Sequence, residues 1–169
     1  DQPLYNEDKT MVLTFNGEIY NYPKLREELI AAGHIFTTHT DSETLIHGYE
    51  EWGHNLTKKL RGMYAFAIWN KKEQELYMAR DGWGIKPLYY YQNGKTLMFA
   101  SEIKALFKYP GIIPILDEQS IAELFGIGPT RTSGTAVFKN IYKLKPATYA
   151  IFNESGLNTK KYWWLQSKI

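Results

Sequence analysis

The sequence predicts an α+β protein with antiparallel sheets, and three features of the chain support this prediction. Short apolar runs rich in β-branched and aromatic residues follow one another with only tight turns between them, which is typical of antiparallel strands. The clearest pair spans residues 88–100, with Asn93-Gly94 as its turn. Two segments with helical spacing of apolar residues, 22–33 and 40–53, lie outside these runs. This separation favours helices packed on the outside of antiparallel sheets.

Composition limits the classes of function. At 169 residues with 44% hydrophobic residues, the chain is long enough for one substantial core. A net charge of +2, with no run of lysine and arginine longer than a pair, gives no support for binding to nucleic acid or to a membrane surface. The chain lacks an apolar run of the ~20 residues that a membrane span needs. Without cysteine it forms no disulfide and no thiolate metal site, and this composition is typical of a cytoplasmic protein.

The stretch from residue 11 to residue 21, MVLTFNGEIYN, begins as a strand and places polar groups at its end. Asn16-Gly17 is a pair that readily adopts positive φ. One interpretation is a hairpin turn, because Asn-Gly is the commonest short turn signal. The other is an anion-stabilising notch, in which the Asn16 amide and the Gly17 N–H lie beside a carboxylate, Glu18, that would hold an amine. The residues alone favour the turn and leave both interpretations open.

The segment 22–33 is predicted to be a helix, because Pro23 suits a first helical turn and a glycine stands at the end. Its apolar residues share one face, so the helix is expected to cover a sheet. Residues 35–38 are then predicted to form a short strand.

A second helix is predicted from Thr40 to Gly53. Thr40 and Glu43 have the spacing of a capping box, in which each side chain bonds a main-chain N–H of the other residue. Asp41 lies in the first turn of this helix. Its carboxylate either complements the helix dipole, which is worth up to about 1 kcal/mol, or serves a binding site.

The remaining elements follow from apolar runs and turn residues. A strand buried on both faces is predicted at 62–69, its antiparallel partner at 75–80, and a short helix capped by Asp117 at 117–125. A loop is predicted at 126–134, followed by three short strands at 137–144, 148–153 and 160–164.

Some titratable residues are not assigned to chemistry. Arg80 and Asp81 leave a strand together, and this pair is interpreted as structural, holding a loop through hydrogen bonds. The four histidines, His34, His39, His47 and His54, lack the spacing of a metal-binding motif such as HExxH. The sequence therefore predicts no metal site.

Five segments, in order and in register, resemble the class II glutamine amidotransferase domain of asparagine synthetases. They are residues 16–21 (NGEIYN), 40–43 (TDSE), 60–67 (LRGMYAFA), 80–89 (RDGWGIKPLY) and 100–106 (ASEIKAL). The resemblance implies a four-layer αββα sandwich of antiparallel sheets, of the N-terminal nucleophile hydrolase type.

The resemblance also implies roles for four residues. Asn16 and Gly17 correspond to the donors that stabilise the oxyanion when the side-chain amide of glutamine is attacked. Glu18 and Asp41 correspond to the carboxylates that hold the glutamine α-ammonium group. In the family a terminal thiolate attacks the amide, a γ-glutamyl thioester is hydrolysed to glutamate, and ammonia passes to a synthetase domain.

The chain departs from the family in one respect. The family's nucleophile is a cysteine at the mature amino terminus, whereas this chain contains no cysteine and starts at Asp1. We therefore expect an N-terminally truncated domain that begins after the nucleophile and is inactive by itself. Missing strands would expose sheet edges and apolar faces, which favours association between copies, such as a homodimer.

The resemblance divides the chain at residue 108. Residues 1–108 correspond to the incomplete amidotransferase core, and residues 109–169 to the part of the glutaminase domain that leads into an ATP-dependent synthetase domain. No GxxxxGK loop is present, so no cofactor is assigned to this chain, and ATP and Mg²⁺ are expected in the missing synthetase domain. The expected partners are glutamine and the synthetase domain of the same polypeptide, which amidates aspartate to asparagine.

Three alternatives remain open. One is a non-catalytic glutamine-binding or regulatory domain that keeps the fold without the nucleophile. Another is an amidotransferase of the same family with a different acceptor. The third is a structural interaction module, suggested by the 15% aromatic content, which we assign to core packing.

Overall fold

The computed structural model describes residues 2–128 and 134–166, and these form two compact units. The large unit contains the described residues up to Lys86 and from Pro146 onward. The small unit contains those from Pro87 to Lys145. No helix in the described part of the chain is both long and apolar enough to span a membrane.

The described elements are numbered in chain order. The strands are β1 Leu4–Tyr5, β2 Met11–Ile19, β3 Gly62–Asn70, β4 Glu75–Arg80, β5 Tyr89–Asn93, β6 Thr96–Ala100, β7 Ile141–Lys143, β8 Thr148–Asn153 and β9 Gly156–Lys161. The helices are α1 Tyr22–Ala31, α2 Asp41–Trp52, α3 Leu56–Lys59, α4 Ile103–Leu106 and α5 Glu118–Ile127, with a 3₁₀ turn at Gly53–Asn55.

The large unit is built on a six-stranded sheet in the order β1-β2-β3-β4-β8-β9, and every neighbouring pair is antiparallel. The predicted buried strand and its partner are confirmed as β3 and β4. Helices α1 and α2 contribute buried residues to the same unit, so apolar side chains of sheet and helices form one core. Its fully buried members include Leu13, Ile19, Leu45, Ile46, Leu56, Phe66 and Ile68.

The prediction of a turn at Asn16-Gly17 is wrong, because both residues lie inside β2. Asn16 is opposite Ala65 and Gly17 is opposite Tyr64 in the β2–β3 register. The strand continues because glycine allows an unusually close approach of the two backbones. Gly17 has φ +153°, and a Cβ at this position would lie 2.1 Å from the Met63 carbonyl oxygen.

The two helices are confirmed, but the capping box and the short strand before α2 are wrong. Thr40 makes no side-chain cap. The Glu43 carboxylate instead accepts hydrogen bonds from the N–H groups of Thr37, at 2.6 Å, and Thr38, at 2.7 Å. Because these N–H groups are occupied by a carboxylate, the segment forms no strand. Burial alone would raise the pKa of Glu43, but the hydrogen bonds from Thr38 and Thr37 bring it below its ordinary value.

The interpretation of Arg80 and Asp81 as structural agrees with their contacts. The buried Asp81 carboxylate accepts four main-chain hydrogen bonds, from Tyr64 at 3.2 Å and from Trp83, Ile85 and Lys86 at 3.0 Å each. The buried Arg80 guanidinium donates to the carbonyl oxygens of Lys86, at 2.7 Å, and Gly84. Together they hold the loop that follows β4 against β3.

The small unit contains a three-stranded antiparallel sheet in the order β6-β5-β7. The predicted hairpin is confirmed as β5 and β6, with Gly94 at φ +56° in its turn. The predicted cap of α5 is also confirmed, since the Asp117 side chain accepts from the Ser120 N–H at 2.9 Å.

The predictions for the end of the chain are partly correct. Strand β8 has the predicted bounds, β7 is shorter than the predicted strand at 137–144, and β9 begins earlier than predicted, at Gly156. The early start follows from a tight β8–β9 hairpin in which Asn153 is opposite Gly156, whose φ of +100° suits glycine. Residues 129–133 of the predicted loop at 126–134 lie outside the described residues. The division at residue 108 stays a prediction.

We expect Asp81→Ala to lower the free energy of unfolding by about 3 kcal/mol or more, because it leaves buried N–H groups without an acceptor. Asp81→Asn keeps one acceptor oxygen and is expected to cost less. Urea unfolding followed by circular dichroism measures both. The exposed turn residue Glu154 provides the control, since Glu154→Ala is expected to leave the midpoint nearly unchanged. Equal midpoints for Asp81→Ala and the control would contradict the structural role.

We expect Gly17→Ala to be more destabilising than Gly33→Ala by at least about 1 kcal/mol. Both glycines have positive φ, so alanine is strained at either position. Only at Gly17 does the added methyl group also meet the opposite strand, because nothing lies within 4 Å of a Cβ at Gly33. Thermal unfolding of the two variants tests this difference. Equal losses would show that β2 and β3 separate without cost.

Candidate functional site

The last part of β2 has an open edge. Strand β1 pairs only with Leu13 and Val12, so within the described residues the part of β2 beyond them has a neighbouring strand, β3, on one side alone. A side chain takes the place of a neighbouring strand at Phe15, whose N–H donates to Gln2 Oε1 at 2.7 Å while its carbonyl oxygen accepts from Gln2 Nε2 at 2.6 Å. At the far end of the strand, the Ile19 N–H donates to Asp41 Oδ2 at 2.9 Å.

The N–H of Gly17 points to this open edge. Its opposite residue is Tyr64, whose N–H donates to Asp81 Oδ2 and whose carbonyl oxygen accepts from the Asp81 N–H at 2.8 Å. Because Tyr64 uses both main-chain groups on its other side, Gly17 and Tyr64 form a non-hydrogen-bonded pair. The Gly17 N–H is therefore directed away from β3, between the N–H groups of Phe15 and Ile19.

Asn16 and Glu18 flank this N–H and share a face of the sheet. Both are exposed, and they alternate with Gly17, which places their side chains on the same side of β2. Asp41 is the first residue of α2 and reaches the end of β2 through its bond to Ile19. The structure thus brings the four residues predicted from the sequence to one end of one strand. The amide and the directed N–H can donate hydrogen bonds to an electron-rich oxygen, and the two carboxylates can bind an amine. The site is therefore suited to a ligand that carries both groups.

A cavity of about 390 Å³ adjoins this strand end, and the sequence analysis did not find it. Its lining includes Gly62 and Tyr64, which pair with Ile19 and Gly17 across the β2–β3 ladder. The remaining lining residues are Tyr20, Thr57, Lys58, Leu60, Arg61, Gly82, Trp83, Ile85, Tyr162 and Trp163. They come from distant parts of the chain, so no local motif predicts the cavity. Its walls are aromatic, with two cationic side chains.

Two tyrosines of the cavity wall are linked through their hydroxyl groups. The Tyr162 hydroxyl donates to the Arg80 carbonyl oxygen at 2.7 Å and lies 2.8 Å from the Tyr64 hydroxyl. Burial raises the pKa of Tyr162 to about 12 and raises the pKa of Tyr64 as well. Both hydroxyls therefore stay neutral near pH 7, where they act as hydrogen-bonding groups and not as bases.

A second cluster of polar side chains lies in the large unit and contains none of the four site residues that the sequence predicted. His34, His47 and Glu50 each offer one ligand atom, and these atoms all lie within 4.8 Å of one another. His47 and Glu50 are separated by about one helical turn of α2, and His34 follows α1. The i, i+3 spacing of His47 and Glu50 is the signal in the sequence that could have indicated this cluster. His34 joins the two residues only through the packing of α1 on α2.

Comparisons with known proteins identify the family of this chain. A family model described as a glutamine amidotransferase domain matches residues 1–163. Glutamine-hydrolyzing asparagine synthetase 3 of Bacillus subtilis is 42% identical over 159 residues, covering 94% of this chain and 26% of that protein. Glutamine-hydrolyzing asparagine synthetase 1 of the same organism is 53% identical over 105 residues, covering 62% of this chain and 17% of that protein. The chain thus spans about a quarter or less of these relatives.

Solved structures confirm the fold class. Glutamine phosphoribosylpyrophosphate amidotransferase of B. subtilis aligns with 95% of this chain and 31% of its own, with a TM-score of 0.64 and 25% identity. A glutamine aminotransferase class-II domain protein of Silicibacter pomeroyi aligns with 96% of this chain and 70% of its own, with a TM-score of 0.56 and 15% identity. The fold is therefore the predicted α+β, N-terminal nucleophile hydrolase type. The chain belongs to the glutamine amidotransferase domain family.

Proposed function

We propose that this chain is the glutamine-binding part of the glutaminase domain of an asparagine synthetase. The observation that carries the proposal is the Gly17 N–H, directed to an open strand edge between Asn16 and Glu18. The identity to glutamine-hydrolyzing asparagine synthetases, and the much greater length of those relatives, support the assignment to that enzyme.

The Asn16 and Gly17 donors would stabilise the oxyanion that forms when the glutamine side-chain amide is attacked. A donor must be fixed where charge appears, and removing one typically costs ~100- to 1,000-fold in rate. The Gly17 N–H meets this condition because the β2–β3 pairing fixes its direction. The family's nucleophile is a cysteine, which this chain does not contain. The proposed reaction therefore needs a cysteine in addition to the residues named here.

Glu18 and Asp41 would bind the α-ammonium group of glutamine. Two carboxylates at one strand end favour a cation, and hydrogen bonds to charged groups are the strong ones. Asp41 is oriented by the Ile19 N–H, which engages one carboxylate oxygen, Oδ2. This pair selects a free amino acid over a glutamine residue within a peptide, because the peptide form has no α-ammonium group.

The rest of the proposal concerns the parent protein. Glutamate and ammonia are the products of the domain, and the ammonia serves the ATP-dependent amidation of aspartate in a synthetase domain of the same polypeptide. ATP and Mg²⁺ belong to that domain. We further propose that the parent is cytoplasmic, and that this chain associates with a second copy.

Glutamine binding tests the amine-binding role. We expect Glu18→Gln and Asp41→Asn each to weaken L-glutamine binding by ~10-fold or more, since a hydrogen bond to a charged group is worth about 1.5–3 kcal/mol. N-acetylglutamine, which lacks the ammonium group, is expected not to bind. Titration calorimetry measures the affinities, and Glu154→Gln is the matched control. Equal affinities for glutamine and N-acetylglutamine would contradict the assignment.

The mass of the amino-terminal peptide, measured on protein isolated from its source cells, tests the enzymatic role. We expect a longer chain that begins with cysteine, since the proposed reaction requires a thiolate beside the oxyanion donors. A native chain that begins at Asp1 would overturn the glutaminase assignment. It would instead favour a glutamine-binding or regulatory domain.

A further inference from the structure

The proposed glutamine site does not use the group formed by His34, His47 and Glu50. His47 is buried on α2, whereas His34 and Glu50 are partly accessible to solvent, with side chains 17% and 22% exposed. The buried His47 ring is held rigidly by the surrounding core, whereas His34 and Glu50 reach the surface. Together the three side chains can hold an ion at the surface. We refer to these three residues as the histidine cluster.

The distances within the histidine cluster suit a small cation. Glu50 Oε2 lies 2.9 Å from His47 Nδ1 and 3.6 Å from His34 Nδ1. Tetrahedral zinc with nitrogen and oxygen ligands has bonds of ~2.0–2.2 Å, so its ligand atoms lie about 3.4 Å apart. These two separations lie on either side of this value, and all three ligand atoms lie within 4.8 Å of one another. Small rotations of two side chains would therefore place all three ligand atoms around one ion.

The outer nitrogens of both histidines face carboxylates. His34 Nε2 lies 3.2 Å from Glu51 Oε2. The buried His47 Nε2 has no hydrogen-bond partner, and its nearest carboxylate oxygens are Glu7 Oε1 at 3.7 Å and Glu43 Oε1 at 3.8 Å. A histidine that binds a metal through one nitrogen usually directs its other N–H to a carboxylate, which orients the ring and raises its basicity.

Glu50 is oriented in the same way. Its second oxygen, Oε1, accepts a hydrogen bond from Asn6 Nδ2 at 2.8 Å, which leaves Oε2 directed at the two histidines. Asn6 is itself buried, and its side-chain oxygen accepts from the Met11 N–H at 2.9 Å. The carboxylate is thus held by a side chain that is fixed to the start of β2.

We propose that His34, His47 and Glu50 bind a zinc ion. Two imidazole nitrogens and one carboxylate oxygen are a set of ligands that zinc accepts, whereas Mg²⁺ and Ca²⁺ prefer oxygen ligands alone. The nearby carboxylates of Glu7, Glu43 and Glu51 favour a dication. Water completes the coordination, because two of the three ligands reach solvent. The ion would join the segment after α1 to α2.

Zinc titration of the chain, stripped of metal with EDTA, tests the proposal. We expect one Zn²⁺ to bind per chain by titration calorimetry, and Mg²⁺ and Ca²⁺ to fail to compete at equal concentration. Zn²⁺ should also raise the midpoint of thermal unfolding, because an ion that binds only the folded state stabilises it. Co²⁺ bound in place of zinc should show the visible absorption of a low-coordinate site.

Variants separate this site from adventitious binding at a surface histidine. We expect His34→Gln and Glu50→Gln each to weaken Zn²⁺ binding by at least ~10-fold, and Glu51→Gln, which keeps all three ligands, to weaken it by a similar factor. The matched control is His39→Gln, an exposed histidine outside the cluster, which should bind as the unchanged protein does. Far-ultraviolet circular dichroism verifies that each variant is folded.

Two results would overturn the proposal. One is the absence of saturable Zn²⁺ binding by the folded, stripped chain. The other is binding that persists in His34→Gln and Glu50→Gln or disappears in His39→Gln. The proposal is independent of the proposed function, since none of the cluster residues belongs to the glutamine site and the glutamine-binding experiments do not involve them.

Discussion

The buried carboxylate of Asp81 is the contact on which the candidate site depends. It accepts the Tyr64 N–H in β3 and three further N–H groups of the loop after β4. The main-chain groups of Tyr64 are consequently turned toward Asp81 and away from Gly17. Asp81, which follows β4, therefore decides that the Gly17 N–H is presented at the open edge of β2. The proposed oxyanion donor is held by the register of the sheet, not by a flexible turn.

The open edge of β2 at Gly17 has opposite effects on ligand binding and on stability. An unpaired edge offers N–H groups that a ligand can use, but it also lacks the stabilisation of a neighbouring strand. Side chains compensate at two positions, with Gln2 on Phe15 and Asp41 on Ile19. Gly17 lies between these two positions. Side chains therefore occupy the edge on both sides of the Gly17 N–H, which is the group that the proposed reaction would need.

Sequence patterns predicted most elements and failed at two places where a different contact replaced the expected local one. Asn-Gly is a turn signal, but β3 pairs with both residues and draws them into a strand. Thr40 and Glu43 have capping-box spacing, but Glu43 is used by the N–H groups of Thr37 and Thr38, and this removes both the box and the strand expected there. In each case, the preference of a short segment for a turn or a cap is worth about 1 kcal/mol or less. Hydrogen bonds that satisfy main-chain polar groups elsewhere overrode this preference.

The sequence alone predicted the α+β class and the main strands and helices, which follow from periodicity. The family and the four residues of the proposed glutamine site came from the resemblance of five contiguous segments to a known family. Only the tertiary structure decided the direction of the Gly17 N–H, the aromatic cavity and the meeting of His34 with His47 and Glu50. Each of these depends on segments that are distant in sequence. Their proximity results from strand register and helix packing, which no single stretch of the chain encodes.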